Sequence, residues 1–239
     1  MLAGTMSPSR PWFALETIDR EMMERAEVKD WLFKVELLIR RILNESNFYG
    51  MASNYLSELL MFGTSAMTHI EDFDDVARFY THTAGSYRIA QNERFEIDTL
   101  FREFEWTAEM IVRAFGLSNV SQHVKDAIDR NNLGAWFPVV HVIEPNDNMR
   151  VDTPLARNKP YKSVYFEKGT DGLDDKDSFL RVSGFDEFPA YVARWDVTGE
   201  DIYGTDCPGM TALGDIKGLQ IEEKRKAQGI DKMVNPPRS

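Results

Sequence analysis

Chemistry in this chain has to be sought first in Tyr203-Gly204-Thr205-Asp206-Cys207-Pro208-Gly209-Met210-Thr211-Ala212-Leu213-Gly214-Asp215-Ile216-Lys217. A strand-like run, Ala190 to Val197, leads into this turn punctuated by Gly and Pro, and the turn opens a long helical pattern. Glycine between strand and helix suggests a phosphate loop. Such a loop needs two glycines at fixed spacing and then Lys with Ser or Thr, so that backbone amides and an ammonium surround the phosphates. Here Asp206 and Asp215 stand where an anion would be repelled, and no Gly-Lys-Ser/Thr follows. The turn therefore reads as architecture.

The other reactive residue types lead no further. His69, His82, His123 and His141 form no H-E-x-x-H or H-x-x-x-H pair. Three of them fall on β-like runs, where a half-buried sheet histidine is far commoner than a metal ligand. Cys207 as a nucleophile would need a base and an electropositive setting, which Asp206 and Pro208 do not supply. Asp171, Asp174, Asp175 and Asp177 lack the ligand order, central Gly and distal Glu of a calcium loop and read as a solvated segment, with a weak ion site as the minor alternative. With 39 acids in the chain, pairing carboxylates for glycoside hydrolysis is unconstrained. Lys224-Arg225-Lys226 follows Glu222-Glu223 on one expected helix, a mixed-sign pattern that marks a solvated face more often than a nucleic-acid contact. Trp12, Trp31, Trp106, Trp136 and Trp195 are dispersed and suit packing or interfaces. No catalytic, cofactor-binding or metal-ligating residue is assigned. The residues suggest a scaffold that works by shape and association.

Composition agrees with that class. The 239 residues suffice for one large domain or two small ones, and 43% hydrophobic with 28% charged residues is ordinary for a soluble globular protein. No apolar run is long enough to span a bilayer, and the start lacks the basic-then-apolar layout of a secretory signal. One cysteine excludes an intrachain disulfide and fits a reducing compartment. The net charge of −11 argues against a protein that grips nucleic acid through its phosphates, because such affinity comes from counterion release by Lys and Arg. It remains compatible with a surface that DNA passes without sticking.

The elements that must position these residues follow from periodicity. Between Pro11 and Pro138 there is no proline, which leaves room for long helices; afterwards proline recurs, as short strands and loops require. Thr17 to Leu43 predicts one helix with Thr17 as N-cap, Asp19 and Glu21 in its first turn and Trp31, Val35, Leu38 and Ile42 on one face. Phe48 to Phe62 predicts a second, with Ala52, Tyr55, Leu56, Leu59 and Leu60 as its stripe and Gly63 as its stop. Strands are expected at Thr64 to Ile70, Ala77 to Thr83, Tyr87 to Gln91 and Phe95 to Phe104. A helix at Thr107 to Phe115, capped by Thr107, should stop at Gly116, and Asn119 with Gln122 signals another helix ending near Asn131-Asn132. Further strands are expected at Phe137 to Ile143, Lys162 to Phe166, Phe179 to Ser183 and Ala190 to Val197, and a final helix at Pro208 to Gln228. The layout is α+β: helices with a mixed, mostly antiparallel sheet.

Several separated motifs, in order, carry a family resemblance. They are Ser7-Pro8-Ser9-Arg10-Pro11-Trp12-Phe13, Asn47-Phe48-Tyr49, Leu59-Leu60-Met61-Phe62-Gly63-Thr64, and Asp98-Thr99-Leu100-Phe101-Arg102-Glu103-Phe104 followed by Thr107-Ala108. Then come Ser183-Gly184-Phe185, Glu187-Phe188-Pro189, Arg194-Trp195, the stretch from Tyr203-Gly204 through Asp215-Ile216-Lys217, and Val234-Asn235-Pro236-Pro237. Over nearly its whole length the chain resembles the portal proteins of short-tailed bacteriophages, also called head-to-tail connecting proteins.

The resemblance implies a structural virion protein without catalysis or cofactor. It implies one subunit of a ring, usually a dodecamer, at a capsid vertex. That ring would be the channel through which a packaging motor drives DNA in, later the exit, and the place where the tail attaches. Implied partners are further copies of the chain, the ATP-hydrolysing terminase, capsid and tail proteins, and duplex DNA passing without sequence-specific binding. The implied location is the portal vertex of the virion, with the host cytoplasm during assembly. The implied fold is a portal-like α+β wing at 1–200, with 201–239 beginning a stem region on a long channel-proximal helix. Relatives extend further at both ends, so a partial chain is expected, with Arg238-Ser239 where an apolar continuation is normal. Gly214, Gly218 and Gly229 each cost the last helix about 1 kcal/mol against Ala, so that helix is expected to lean on neighbouring subunits. The rival readings are a hydrolase with an acidic cleft and a generic oligomeric tail or capsid adaptor.

Overall fold

A computed structural model describes residues 6–150, 155–169 and 179–234. The acidic segment Asp171 to Asp177 and the closing Asn235-Pro236-Pro237 lie outside the described residues. The helices are α1 (Arg20–Glu24), α2 (Ala26–Glu45), α3 (Phe48–Phe62), α4 (Ala108–Phe115), α5 (Gln122–Asp129) and α6 (Pro208–Val234). The strands are β1 (Thr64–Asp72), β2 (Val76–His82), β3 (Tyr87–Gln91), β4 (Ile97–Thr107), β5 (Trp136–Pro145), β6 (Tyr161–Glu167), β7 (Arg181–Phe185) and β8 (Ala190–Arg194). The α+β class holds, and every strand pairing among the described residues is antiparallel. The strands form two sheets rather than one mixed sheet: a three-stranded one in the order β2-β1-β8 and a five-stranded one in the order β3-β4-β5-β6-β7.

Strand alternation sets the layers. In β4, Leu100 points to the core while its neighbour Phe101 points to solvent. One core lies between the sheets, built from Ala66, Tyr87, Ile89, Leu100, Ile143 and Ala190. Farther along the same face of the five-stranded sheet, α4 and α5 supply Ala108, Ile111, Phe115 and Val124 to a second core with Val139 and Leu180. The opposite face of the three-stranded sheet is covered by α3, where Phe48 and Ala52 meet Met67 and Phe79. The motif at Ser7 to Phe13 is a strap on that layer: Trp12 Nε1 donates to Tyr49 Oη at 3.1 Å, and the Trp12 ring lies parallel to Phe48 at 6.1 Å. Asn47 imitates a strand neighbour, its side chain donating to the Phe79 carbonyl at 2.8 Å and accepting from the Phe79 amide at 2.9 Å.

Several expectations need correction. Thr17 does not cap a helix. Its hydroxyl donates to the Asp19 carbonyl, and Asp19 caps instead, accepting from the Glu21 amide at 2.9 Å. The expected single helix is two, because Arg25 is extended at φ −70 and ψ 124. The stripe Trp31, Val35, Leu38, Ile42 is not a buried face. Leu32 is the buried side chain of α2, whereas Trp31 and Leu38 are 62% and 57% exposed. Residues seven apart lie one above the other on a helix, and that pair sits on the shoulder of the arc that contains Leu32, Val35 and Ile39. Phe95 does not begin a strand. It sits in a turn at φ 62, where the Asn92 side chain accepts from the amides of Arg94 and Glu96. The cap of α5 is Ser121 rather than Asn119, because Ser121 Oγ accepts from the Val124 amide while Asn119 donates back to the Phe115 carbonyl. That helix ends at Asp129, two residues before Asn131, which takes a positive φ of 56. The Thr107 cap of α4 and the left-handed Gly63 stop of α3 are as expected. Strand β7 lies two residues beyond Phe179 to Ser183, β8 ends at Arg194 instead of Val197, and α6 continues past Gln228 to Val234.

Candidate functional site

The stretch at Tyr203 to Lys217 is a joint. The carbonyl of Gly63 accepts from the Trp195 amide at 2.8 Å, and the Gly204 amide donates to Thr64 Oγ1 at 2.8 Å. Thus the end of α3, the end of β8 and the root of α6 meet on one backbone. Glycine is required here for close approach: a Cβ on Gly204 would lie 2.1 Å from the Gly63 carbonyl oxygen, and one on Gly209 2.6 Å from that of Met61. Cys207 is buried, with its thiol donating to the Met61 carbonyl at 3.3 Å, and so has a packing role immediately before the helix. Pro208 then occupies the first helical position, where its missing N–H costs nothing. Arg194, of the Arg194-Trp195 motif, clamps the joint from the side. It donates to Gln91 Oε1 and the Phe95 carbonyl, each at 3.0 Å, and to the Asp201 carbonyl at 3.2 Å.

From this joint α6 runs for 27 residues, about 40 Å, without burying a single side chain. Leu213, Ile216, Leu219, Ile230 and Val234 are exposed along one side. Five cations, Lys217, the consecutive Lys224, Arg225 and Lys226, and Lys232, stand against four carboxylates, Asp215, Glu222, Glu223 and Asp231. Only Lys226 and Glu223 approach each other, at 3.8 Å, among the described ion pairs of this helix. Nothing lies within 4 Å of a Cβ built on Gly214, Gly218 or Gly229.

The histidines lie on β1, β2, β5 and α5, apart from that joint. On the inner face of the five-stranded sheet the cross-strand row Arg102, His141, Tyr165, Arg181 runs between the two cores. His141 Nε2 meets Ser163 Oγ at 2.9 Å, and its ring stacks on Tyr165 at 3.8 Å. The Arg181 guanidinium covers the other side of Tyr165 at 4.9 Å from the ring centre. His82, facing the same seam, meets Thr68 Oγ1 at 3.1 Å. Burial, with the nearby Arg102 charge, pushes His82 down to about 3 and His141 to about 2, so both are neutral near pH 7. His69 stacks on Tyr191 across the outer side of the small sheet, and His123 lies on α5. Among the described residues no cluster of three His, Cys, Asp or Glu side chains could hold a metal ion. A cleft of about 630 Å³ between the sheets collects His69, Glu71, Lys159, Arg181, Asp186 and Glu187, in which Lys159 and Asp186 already pair at 2.8 Å. Ser163 also lines that cleft with its hydroxyl 2.9 Å from His141 Nε2, and both residues are buried, at 1% and 4% exposure.

Of the residues weighed in the sequence, the joint therefore brings together Gly204, Cys207 and Gly209, while the four histidines stay apart from it. The tryptophans divide: Trp12 and Trp106 pack internally, and Trp31, Trp136 and Trp195 are exposed. Arg194 and Asn47 carry tertiary roles that their residue types alone did not announce.

The chain is 46% identical over 237 residues to the portal protein of Salmonella phage epsilon15 and 43% identical over 237 residues to the probable portal protein of Bordetella phage BPP-1. Each alignment covers 99% of this chain and 42% of the relative, so the chain spans about two fifths of the length of these proteins. The family model for the bacteriophage head to tail connecting protein matches residues 1–239, and the chain belongs to that family.

Proposed function

We propose that this chain is a portion of a portal subunit: a wall segment of a ring at one capsid vertex, through which DNA enters during packaging and leaves during ejection. In this reading residues 1–200 form the wing-like body, and 201–239 begin the channel-proximal region. The ring is a dodecamer, the terminase docks on it from outside during packaging, and capsid and tail proteins hold it in the virion. Its assembly takes place in the host cytoplasm.

The observation that carries the reading is α6. A helix of about 40 Å with no buried side chain, rooted in a joint of three glycines and a buried cysteine, is built to be held by neighbours at a set angle. A ring needs head-to-tail contacts that close by rotation, and two exposed flanks of one helix supply such a contact. The charges of α6 nearly cancel, five cations against four carboxylates, and the whole chain carries −11. A wall with so little net positive charge lets a polyanion slide, whereas a large excess of cations would bind phosphates and add friction.

Negative-stain electron microscopy of the purified chain and of its relatives' full-length form tests this. Ring particles with a central hole are the expected result. A strict monomer at micromolar concentration, or hydrolytic turnover located in the 630 Å³ cleft, would reject it in favour of the enzyme. Tight, steeply salt-dependent binding of duplex DNA by assembled rings would reject the low-friction wall.

A further inference from the structure

The polar row between the two cores holds two charges that the ring reading does not use. Arg102 and Arg181 stand at its ends, on the inner face of the five-stranded sheet, with His141 and Tyr165 between them in register. The chain carries a net charge of −11, yet among the described residues neither guanidinium forms an ion pair with a carboxylate. Rings hold them instead. The Arg102 guanidinium lies 5.1 Å from the centre of the Phe104 ring, and that of Arg181 lies 4.9 Å from Tyr165 and 5.5 Å from Phe115. A ring face offsets part of a cation's charge but leaves the in-plane N–H groups of a guanidinium to find acceptors elsewhere.

Two hydroxyls complete the cluster. That of Tyr165 lies within electrostatic reach of both guanidiniums, and that of Tyr80 acts on Arg102 from the opposite sheet. Tyr80 shares the seam-facing side of β2 with His82, two residues on. The carboxylates nearby are committed or turned away. Glu167, on this face of β6, accepts from the Ser121 amide at 2.9 Å and hydroxyl at 2.6 Å. Glu103 and Glu105 alternate to the other face of β4, and Asp75 pairs with Arg78 at 3.6 Å. Burial lowers the Arg102 pKa from its ordinary value, the sign of a desolvated charge without a counter-charge. The place is still reachable: no Arg102 nitrogen is sealed from solvent, and Tyr80 is 39% exposed.

Two cations and two phenol hydroxyls converging from both sheets call for an anion with several oxygens. A phosphate near neutral pH carries up to two negative charges and offers oxygens to two guanidinium forks at once, whereas a carboxylate has one charge and two oxygens. We propose that Arg102 and Arg181, with the hydroxyls of Tyr80 and Tyr165, bind a phosphate-type oxyanion in the seam between the two sheets. Bound there, the ion ties β2 of one sheet to β4, β6 and β7 of the other. The inference is independent of the ring reading.

Calorimetric titration of the full chain with inorganic phosphate, at constant ionic strength and neutral pH, tests it. Saturable binding at one site is expected, with acetate at least tenfold weaker. Phosphate at ten times its Kd should raise the melting temperature by about 4 °C. Arg102→Met keeps the apolar stem and removes the charge. It is expected to abolish binding and the phosphate-dependent rise, and to melt no earlier than the parent in phosphate-free buffer, because it removes a charge that the chain itself leaves unpaired. Arg181→Gln, at an exposed position, should fold normally and bind phosphate at least tenfold more weakly. The inference is overturned by any one of four results. These are no saturable binding, acetate as tight as phosphate, an equal phosphate response in the parent and either variant, or an Arg102→Met chain that melts several degrees early without phosphate. None of them bears on ring formation, so the portal reading stands or falls separately.

Discussion

The two-sheet body and the long helix α6 solve opposite problems. The body buries its apolar side chains in three separate cores and neutralises the polar seam between two of them with rings stacked on rings. Helix α6 buries nothing, and its one strong fixture is at its first residues. Glycine shows the difference best. In the joint it is required because backbones touch; in the helix it stands in open space and only weakens the helix. One residue type thus marks a structural demand in one region and an intrinsic cost in the other, so the helix is not optimised for the stability of the isolated chain.

The sharpest way to break this comparison is truncation. Leu100→Ala empties a fully buried position between the sheets and is expected to cost about 3 kcal/mol in urea denaturation. Leu219→Ala, on the exposed side of α6, should change monomer stability by less than about 0.5 kcal/mol. Comparable losses at both sites would show that α6 packs on its own body.

Acid comes next. His82 and His141 have folded pKa values near 3 and 2, depressed below the ordinary 6.5 by burial and by Arg102. The unfolded chain therefore takes up protons below pH 6.5 that the folded chain refuses. Their contribution is whole above about pH 6.5 and is lost as pH falls toward the folded values. The loss is about 1.4 kcal/mol per pH unit for each histidine, so about 2 kcal/mol each between pH 6.5 and 5. Denaturation midpoints measured at the two pH values should show it, and a His82→Gln, His141→Gln double variant should flatten the profile. An equally steep profile in that variant would remove the histidines from the account.

The finest distinction uses alanine at glycine. Gly204→Ala must displace the Gly63 backbone and is expected to destabilise by about 2 kcal/mol, whereas Gly218→Ala should stabilise the free chain by about 1 kcal/mol. Opposite signs in thermal melts support the contrast between joint and lever. In an assembled ring, a Gly218→Ala variant that melts earlier than the parent would instead place a neighbour against that glycine.

Much of the local structure was legible because its causes are local. Gly63 stops α3 and Thr107 starts α4 through backbone geometry and a hydroxyl three residues from its amide, and both can be read within one turn of chain. Where two capping candidates stood close together, as with Asn119 and Ser121, the outcome depended on a distant residue. Ser121 is also held by the Glu167 carboxylate, which accepts from its amide at 2.9 Å and its hydroxyl at 2.6 Å. Spacing along one strand of text does not contain that partner.

By itself, the amino-acid sequence determined the α+β class, the order of nearly every helix and strand, the architectural reading of the Tyr203 to Lys217 turn and the family, because periodicity, caps and ordered motifs are properties of neighbours in the chain. Only the tertiary structure decided that the strands divide into two sheets, that Trp31 and Leu38 look outward, and that Arg102, His141, Tyr165 and Arg181 share one row. Those outcomes turn on which strand edges pair and which of two apolar helix flanks finds cover. Burial and pairing across tens of residues are settled by the packing of the whole chain and not by any segment of it.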